Sequence, residues 1–135
     1  MTTLVLDASA MSEFLLNSPR GEEVVELFAD ASVDVHVPEL CLVETASVLR
    51  KWVQRGEVPD VRARQALDDL AEFPAVAWSA EPLLGRIWDL RDNFTAYDAT
   101  YVALAEGLDG RLVTGDARLA RAVAEHAACP VHQIA

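Results

Sequence analysis

Positive charge is scarce in this 135-residue chain. Its 11 Lys and Arg stand against 22 Asp and Glu, a formal net charge of −11. A chain of that sign does not grip phosphates or anionic lipid by bulk attraction, which excludes basic-tail nucleic-acid binders and polybasic membrane binders. Cysteine is as thin. Cys41 and Cys129 form no CxxC pair, so neither a disulfide scaffold nor a Cys-type zinc site is supported, and both read as small buried hydrophobes. His36, His126 and His132 have no zinc-like spacing. No apolar run approaches the roughly 20 residues of a membrane helix. Met1 to Asp7 lacks a basic stretch followed by an apolar one, so no signal peptide is expected. A cytoplasmic protein without membrane contact is the expectation. Phosphate-cradling glycine loops, a GxSxG elbow, repeats and linkers are all missing.

What is present reads as one globular domain over residues 1–135, with 52% hydrophobic and 24% charged residues. A domain of this length buries roughly 68–70% of its unfolded surface. Short β-rich runs alternate with helical patterns. Leu4-Val5-Leu6, Val33 to Val37, Val76-Ala77-Trp78, Leu112-Val113-Thr114 and Val131 to Ile134 predict five strands, the third and fifth weakest. Helices are expected over about 10–16, 22–31, 39–55, 60–73, 82–90, 95–106 and 117–127. The helix over 39–55 is assigned an inward stripe of Leu42, Ala46, Leu49 and Val53 and an end at Gly56. Trp52, Trp78 and Trp88 are expected in the core, with a partner groove as the alternative. Alternation of this kind predicts an α/β fold: three α/β/α layers around a central, mostly parallel sheet of four to five strands.

In such sheets functional groups collect beyond the carboxyl ends of the strands. Asp7 ends the first strand and Asp116 follows the fourth, so both project from one edge. Asp98 opens the helix that leads into the fourth strand, and Glu44 lies one turn into the helix after the second. Each has a plain structural reading. Asp7 and Asp116 suit helix N-caps, and Thr95-x-x-Asp98 resembles a capping box. Glu44 falls on the flank of its helix, where solvated surface is the default. Carboxylates gathered at one edge repel unless a cation lies among them, and all-oxygen ligation suits Mg²⁺, with Mn²⁺ as the second choice. Ser9 and Thr114 are read either as partners of a bound water or phosphate, or as turn residues.

Four stretches together resemble the PIN-domain family, and within it the VapC-type toxin ribonucleases of type II toxin–antitoxin pairs. They are Leu4-Val5-Leu6-Asp7-Ala8-Ser9, Pro38-Glu39-Leu40-Cys41-Leu42-Val43-Glu44, Tyr97 to Glu106, and Thr114-Gly115-Asp116 with Arg118-Leu119. The resemblance implies a PIN-like fold and Mg²⁺-dependent cleavage of RNA phosphodiesters by metal-activated water. It implies that Asp7, Glu44, Asp98 and Asp116 form the catalytic and metal-binding set. It implies a cognate VapB-like antitoxin and a homodimer. A non-catalytic PIN-like binding module and a solitary PIN nuclease are the alternatives. A phosphoacceptor receiver domain needs an Asp ending the third strand and a Lys after the fifth; here stand Trp78-Ser79-Ala80 and, as sole lysine, the helical Lys51. An aspartyl phosphatase needs an acid where Ser9 stands. Against the net charge, RNA must be held locally, by basic groups such as Arg50, Lys51 and Arg55, weakly and with strong salt dependence.

Overall fold

The computed structural model describes residues 2–135. Its strands are β1 (Thr2–Leu6), β2 (Val33–Pro38), β3 (Val76–Trp78), β4 (Arg111–Thr114) and β5 (Val131–Gln133). They form one sheet in the order β3-β2-β1-β4-β5. Every neighbouring pair is parallel, with Leu6 opposite Val113 and Val5 opposite His36. Leu4, Val5 and Leu6 are buried in succession, as are Leu112, Val113 and Thr114. Successive side chains of a strand point to opposite faces, so unbroken burial means that both faces are covered.

The covering helices are α1 (Ala8–Leu15), α2 (Pro19–Leu27), α3 (Leu40–Gln54), α4 (Asp60–Glu72), α5 (Leu84–Asp89), α6 (Ala96–Gly107) and α7 (Ala117–His126). Right-handed crossovers put α1–α4 on one face and α5–α7 on the other. The packing agrees: α1 lies against α2, α3 and α4, while α6 lies against α5 and strands β1, β2 and β4. Phe14, Phe28 and Phe73 pin the first group together at ring-centroid distances of 5.1, 5.2 and 6.0 Å. Helix α6 is buried without a break from Ala99 to Ala105, the mark of an enclosed helix rather than an amphipathic one.

Boundaries moved where caps decided them. Helix α1 starts at Ala8 instead of residue 10 because the Asp7 carboxylate caps it. Helix α2 starts at Pro19 instead of residue 22, with Ser18 accepting from the Gly21 amide and Pro19 preset for the first turn. Gly56 stands at φ 74°, the left-handed position assigned to it at the end of α3. Pro82 falls in a 3₁₀ turn (Glu81–Leu83) that leads into α5.

Two assignments are corrected. Leu49 is buried and Val53 packs on the core as expected, but Leu42 is 41% exposed. The start of the helix is rolled so that Cys41 and Thr45 face inward instead, with Cys41 Sγ 3.7 Å from the Leu6 carbonyl. Nor are all three tryptophans core. Trp52 packs on it, but Trp78 lies on the exposed edge strand β3 with its indole N–H on His36 Nδ1 at 2.9 Å. Trp88 is 67% exposed under the Arg91 guanidinium, 4.6 Å from its ring centroid.

Candidate active site

Connections from β1 run toward β2 and those from β4 toward β5, so the sheet's winding reverses between β1 and β4. A crevice opens at such a reversal beyond the carboxyl ends of the strands. Asp7 follows β1 there, and Thr114-Gly115-Asp116 closes β4.

The Asp7 carboxylate is buried and accepts three hydrogen bonds. Oδ1 accepts from the Ser9 hydroxyl at 2.6 Å and the Ala10 amide at 2.9 Å, and Oδ2 accepts from the Thr114 hydroxyl. The Gly115 amide donates to Ser9 Oγ at 2.8 Å, and the Asp116 amide to Thr114 Oγ1 at 3.0 Å. Ser9 and Thr114 are therefore more than turn residues. They tie the end of β1 to the turn after β4. From the far side Arg20 donates to the Gly115 carbonyl at 2.7 Å and to the Ile134 carbonyl at 3.3 Å. Burial pushes the Asp7 carboxyl above its usual range and the charge of Asp116 adds to that; the two hydroxyls and the Ala10 amide pull the other way.

The structural and functional readings of these acids coexist. Asp116 caps α7, accepting from the amides of Arg118 and Leu119 at 2.9 and 3.2 Å. Thr95 caps α6 by accepting from the Asp98 amide at 3.1 Å, which is half of the expected box, and the Asp98 carboxylate lines the crevice. Burial and neighbouring Asp116 raise the Asp98 carboxyl, with Arg118 opposing. Arg118 Nη2 stands 3.8 Å from one oxygen of each.

Glu44 departs from its solvated expectation. It is half-buried, and its Oε1 accepts from the Tyr101 hydroxyl at 2.6 Å. The same roll of α3 that buries Thr45 turns Glu44 inward. Tyr101 was not singled out as a site residue, although it stands one turn after Asp98 on the same helix. Its phenol is buried, and its proton is held firmly by burial and by the carboxylate beside it.

Asp7, Glu44, Asp98 and Asp116 thus line one open cavity of about 200 Å³, with Ser9, Ser47, Lys51 and Tyr101 among its walls. The basic trio expected on α3 is split by the helix: Lys51 lines this cavity, Arg50 lines a groove between α3 and α4, and Arg55 caps the helix end. The histidines serve elsewhere, His36 on Trp78 and His132 on Glu23 at 2.7 Å. A donor set of four carboxylates suits Mg²⁺ or Mn²⁺ and does not suit zinc. Among the described residues, no group of three or more His, Cys, Asp or Glu side chains is placed to hold a metal ion by itself; Mg²⁺ commonly takes only one or two carboxylates and keeps several waters.

Comparison with known proteins agrees with this architecture. The PIN domain family model matches residues 4–125. The VapC ribonuclease Mb0985 of Mycobacterium bovis is 38% identical over 128 residues, covering 95% of each chain. Among solved structures, VapBC2 from Rickettsia felis, bound to a DNA fragment of its promoter, superposes with a TM-score of 0.69 at 13% identity, over 98% of both chains. VapC20 of Mycobacterium tuberculosis, a toxin that cleaves the sarcin–ricin loop, gives 0.66 at 16% identity, over 93% of this chain and 96% of its own. On the family match and the identity to the Mycobacterium bovis relative, this chain belongs to the PIN-domain family, in its VapC group.

Proposed function

We propose that the chain is an endoribonuclease, the toxin of a toxin–antitoxin pair, and that Asp7, Glu44, Asp98 and Asp116 are its catalytic and cation-binding residues. One observation carries the reading: these four carboxylates, from four separate elements, line a single cavity at the sheet's winding reversal. The 38% identity to a VapC ribonuclease over 95% of the chain supports RNA as the substrate.

A divalent cation, Mg²⁺ with Mn²⁺ as substitute, would supply Lewis acidity toward water and a phosphodiester at this site. Asp7 and Asp98 are the residues we assign to hold it, with Asp116 and Glu44 binding directly or through water. The chain's own part is preorganisation. Two hydroxyls and an amide fix the Asp7 carboxylate so that its orientation is set before substrate arrives. Tyr101 fixes the Glu44 rotamer in the same way. No His lines the cavity, so a proton leaving the attacking water passes to a carboxylate or to solvent. Two partners complete the reading. An antitoxin fits the acidic cavity through an arginine suited to bidentate carboxylate pairing. A second copy of the chain fits α5, where Leu84 and Trp88 are exposed.

The test is cleavage of a structured RNA by the purified chain. Cleavage should need Mg²⁺ or Mn²⁺ and stop with chelator. Asp98→Ala, which removes no cap contact, should lower the rate at least about a hundredfold, since the electrostatic contribution of such a group runs to several kcal/mol. Asp7→Asn, which keeps a capping oxygen, should do the same. Undiminished cleavage by both variants would sink the proposal and favour a binding module.

A further inference from the structure

An acidic cavity in a chain of net charge −11 repels the strand it is proposed to cut. Beside the cation proposed for it, positive side chains near its mouth offset that repulsion. Among the described residues, Arg118 and Lys51 stand there. Arg118, on α7, spends its guanidinium between Asp98 and Asp116, 3.8 Å from an oxygen of each. Lys51, on α3, is the other, and it is the only lysine in the chain. It lines the cavity with Glu44, Ser47 and Val48, positions that recur at three and four residues and so share one helix face. Among the described residues no carboxylate lies within ion-pair distance of its ammonium. Its sequence neighbour Arg50 points into the α3–α4 groove instead. The side chain is exposed, and its place in the last turn of α3, where a cation favours the helix dipole, asks nothing of its ammonium's direction. A compact, rotatable point charge on a long stem, left unpaired beside four carboxylates, is chemically matched to a non-bridging phosphate oxygen.

We infer that Lys51 is a positioning residue for RNA: its ammonium takes a backbone phosphate of the strand entering the cavity and so sets which phosphodiester lies over the carboxylates. The inference rests on the ribonuclease reading for its substrate class and deepens it. Lys51 holds the strand and takes no part in the bond-breaking itself.

The experiment separates holding from cutting. Affinity for a short fluorescein-labelled single-stranded RNA is followed by anisotropy in the Asp98→Asn chain with Mg²⁺, between about 50 and 200 mM salt. One lost phosphate contact on a single strand should lower the slope of log affinity against log salt by about 0.7, and weaken binding roughly five- to tenfold at the low end. Lys51→Ala should show that loss and Lys51→Arg should restore it. Arg50→Ala and Arg55→Ala, which remove the same charge from other parts of the helix, should leave the slope unchanged. In the chain with intact carboxylates, Lys51→Ala should raise KM with kcat nearly constant. A slope unchanged by Lys51→Ala, or lowered equally by Arg50→Ala, overturns the assignment. Because binding is read without turnover, a chain that cuts no RNA yet loses the slope with Lys51→Ala keeps it. A chain that cuts RNA with no change of slope loses it while the nuclease reading stands.

Discussion

At the scale of single residues, Asp7 shows how one side chain answers to two demands. Its carboxylate is hydrogen-bonded as a helix cap and buried beside a second acid, Asp116. Because burial raises its carboxyl, the folded chain holds the proton more tightly than the unfolded one. In cation-free solution the ionised form therefore costs stability at neutral pH, and that stability returns as pH falls through the folded-state value toward 3.8. Asp7→Asn, which keeps the cap and removes the charge, should melt a few degrees higher than the parent in chelating buffer. Added Mg²⁺ should raise the parent's melting temperature and not the variant's. A variant that melts lower in chelator would contradict this account of the site. The positions of Asp7, Asp98 and Asp116 were legible because strand ends and helix starts can be read from local pattern. Glu44 was legible only through the family resemblance, since its facing depends on how α3 rolls against the sheet. Tyr101, Ser9 and Thr114 act across 57 to 107 residues of sequence, and no local signal carries that.

At the scale of elements, the number and order of strands and helices followed from alternating β-rich and helical runs, and caps then shifted their ends by two or three residues. At the start of α3 the inward face was misread because the buried positions, Cys41 and Thr45, are small, whereas Leu42 and Val43 are large, apolar and exposed. Hydrophobicity alone ranks these residues in the wrong order. Close packing joins α1 to α2. At Gly21 an added Cβ would run into the backbone carbonyl of Glu13, and backbone cannot yield as a side-chain tip can. Gly21→Ala should therefore cost about 1–3 kcal/mol of stability by chemical denaturation. The spared carboxylate cavity should leave kcat in the surviving folded fraction close to that of the parent. An unaffected denaturation midpoint would mean that the two helices separate easily, contrary to their packing.

At the scale of the whole molecule, the charge of −11 acts on stability as well as on binding. Like charges over one small surface repel, and salt relieves this as the screening length falls from about 30 Å at 0.01 M to about 8 Å at 0.15 M. The cation-free chain should melt at a higher temperature as sodium chloride is raised over that range, then level off. A flat or falling curve would show the acids to be balanced locally, as Glu106 is by Arg86 at 2.6 Å.

The knot of Ser9, Thr114 and Asp7 sets the time at which the cavity comes into being. Strand β1 is made before the rest of the sheet, but the hydroxyl that completes the Asp7 cradle arrives 107 residues later, with β4. Chains emerge at roughly 5–20 residues per second, so for roughly 5–20 seconds the nascent protein holds Asp7 without the wall that Asp98, Thr114 and Asp116 provide. The cavity therefore forms only once β4 has been made, and until then the growing polypeptide cannot use it on any RNA, including the message being read.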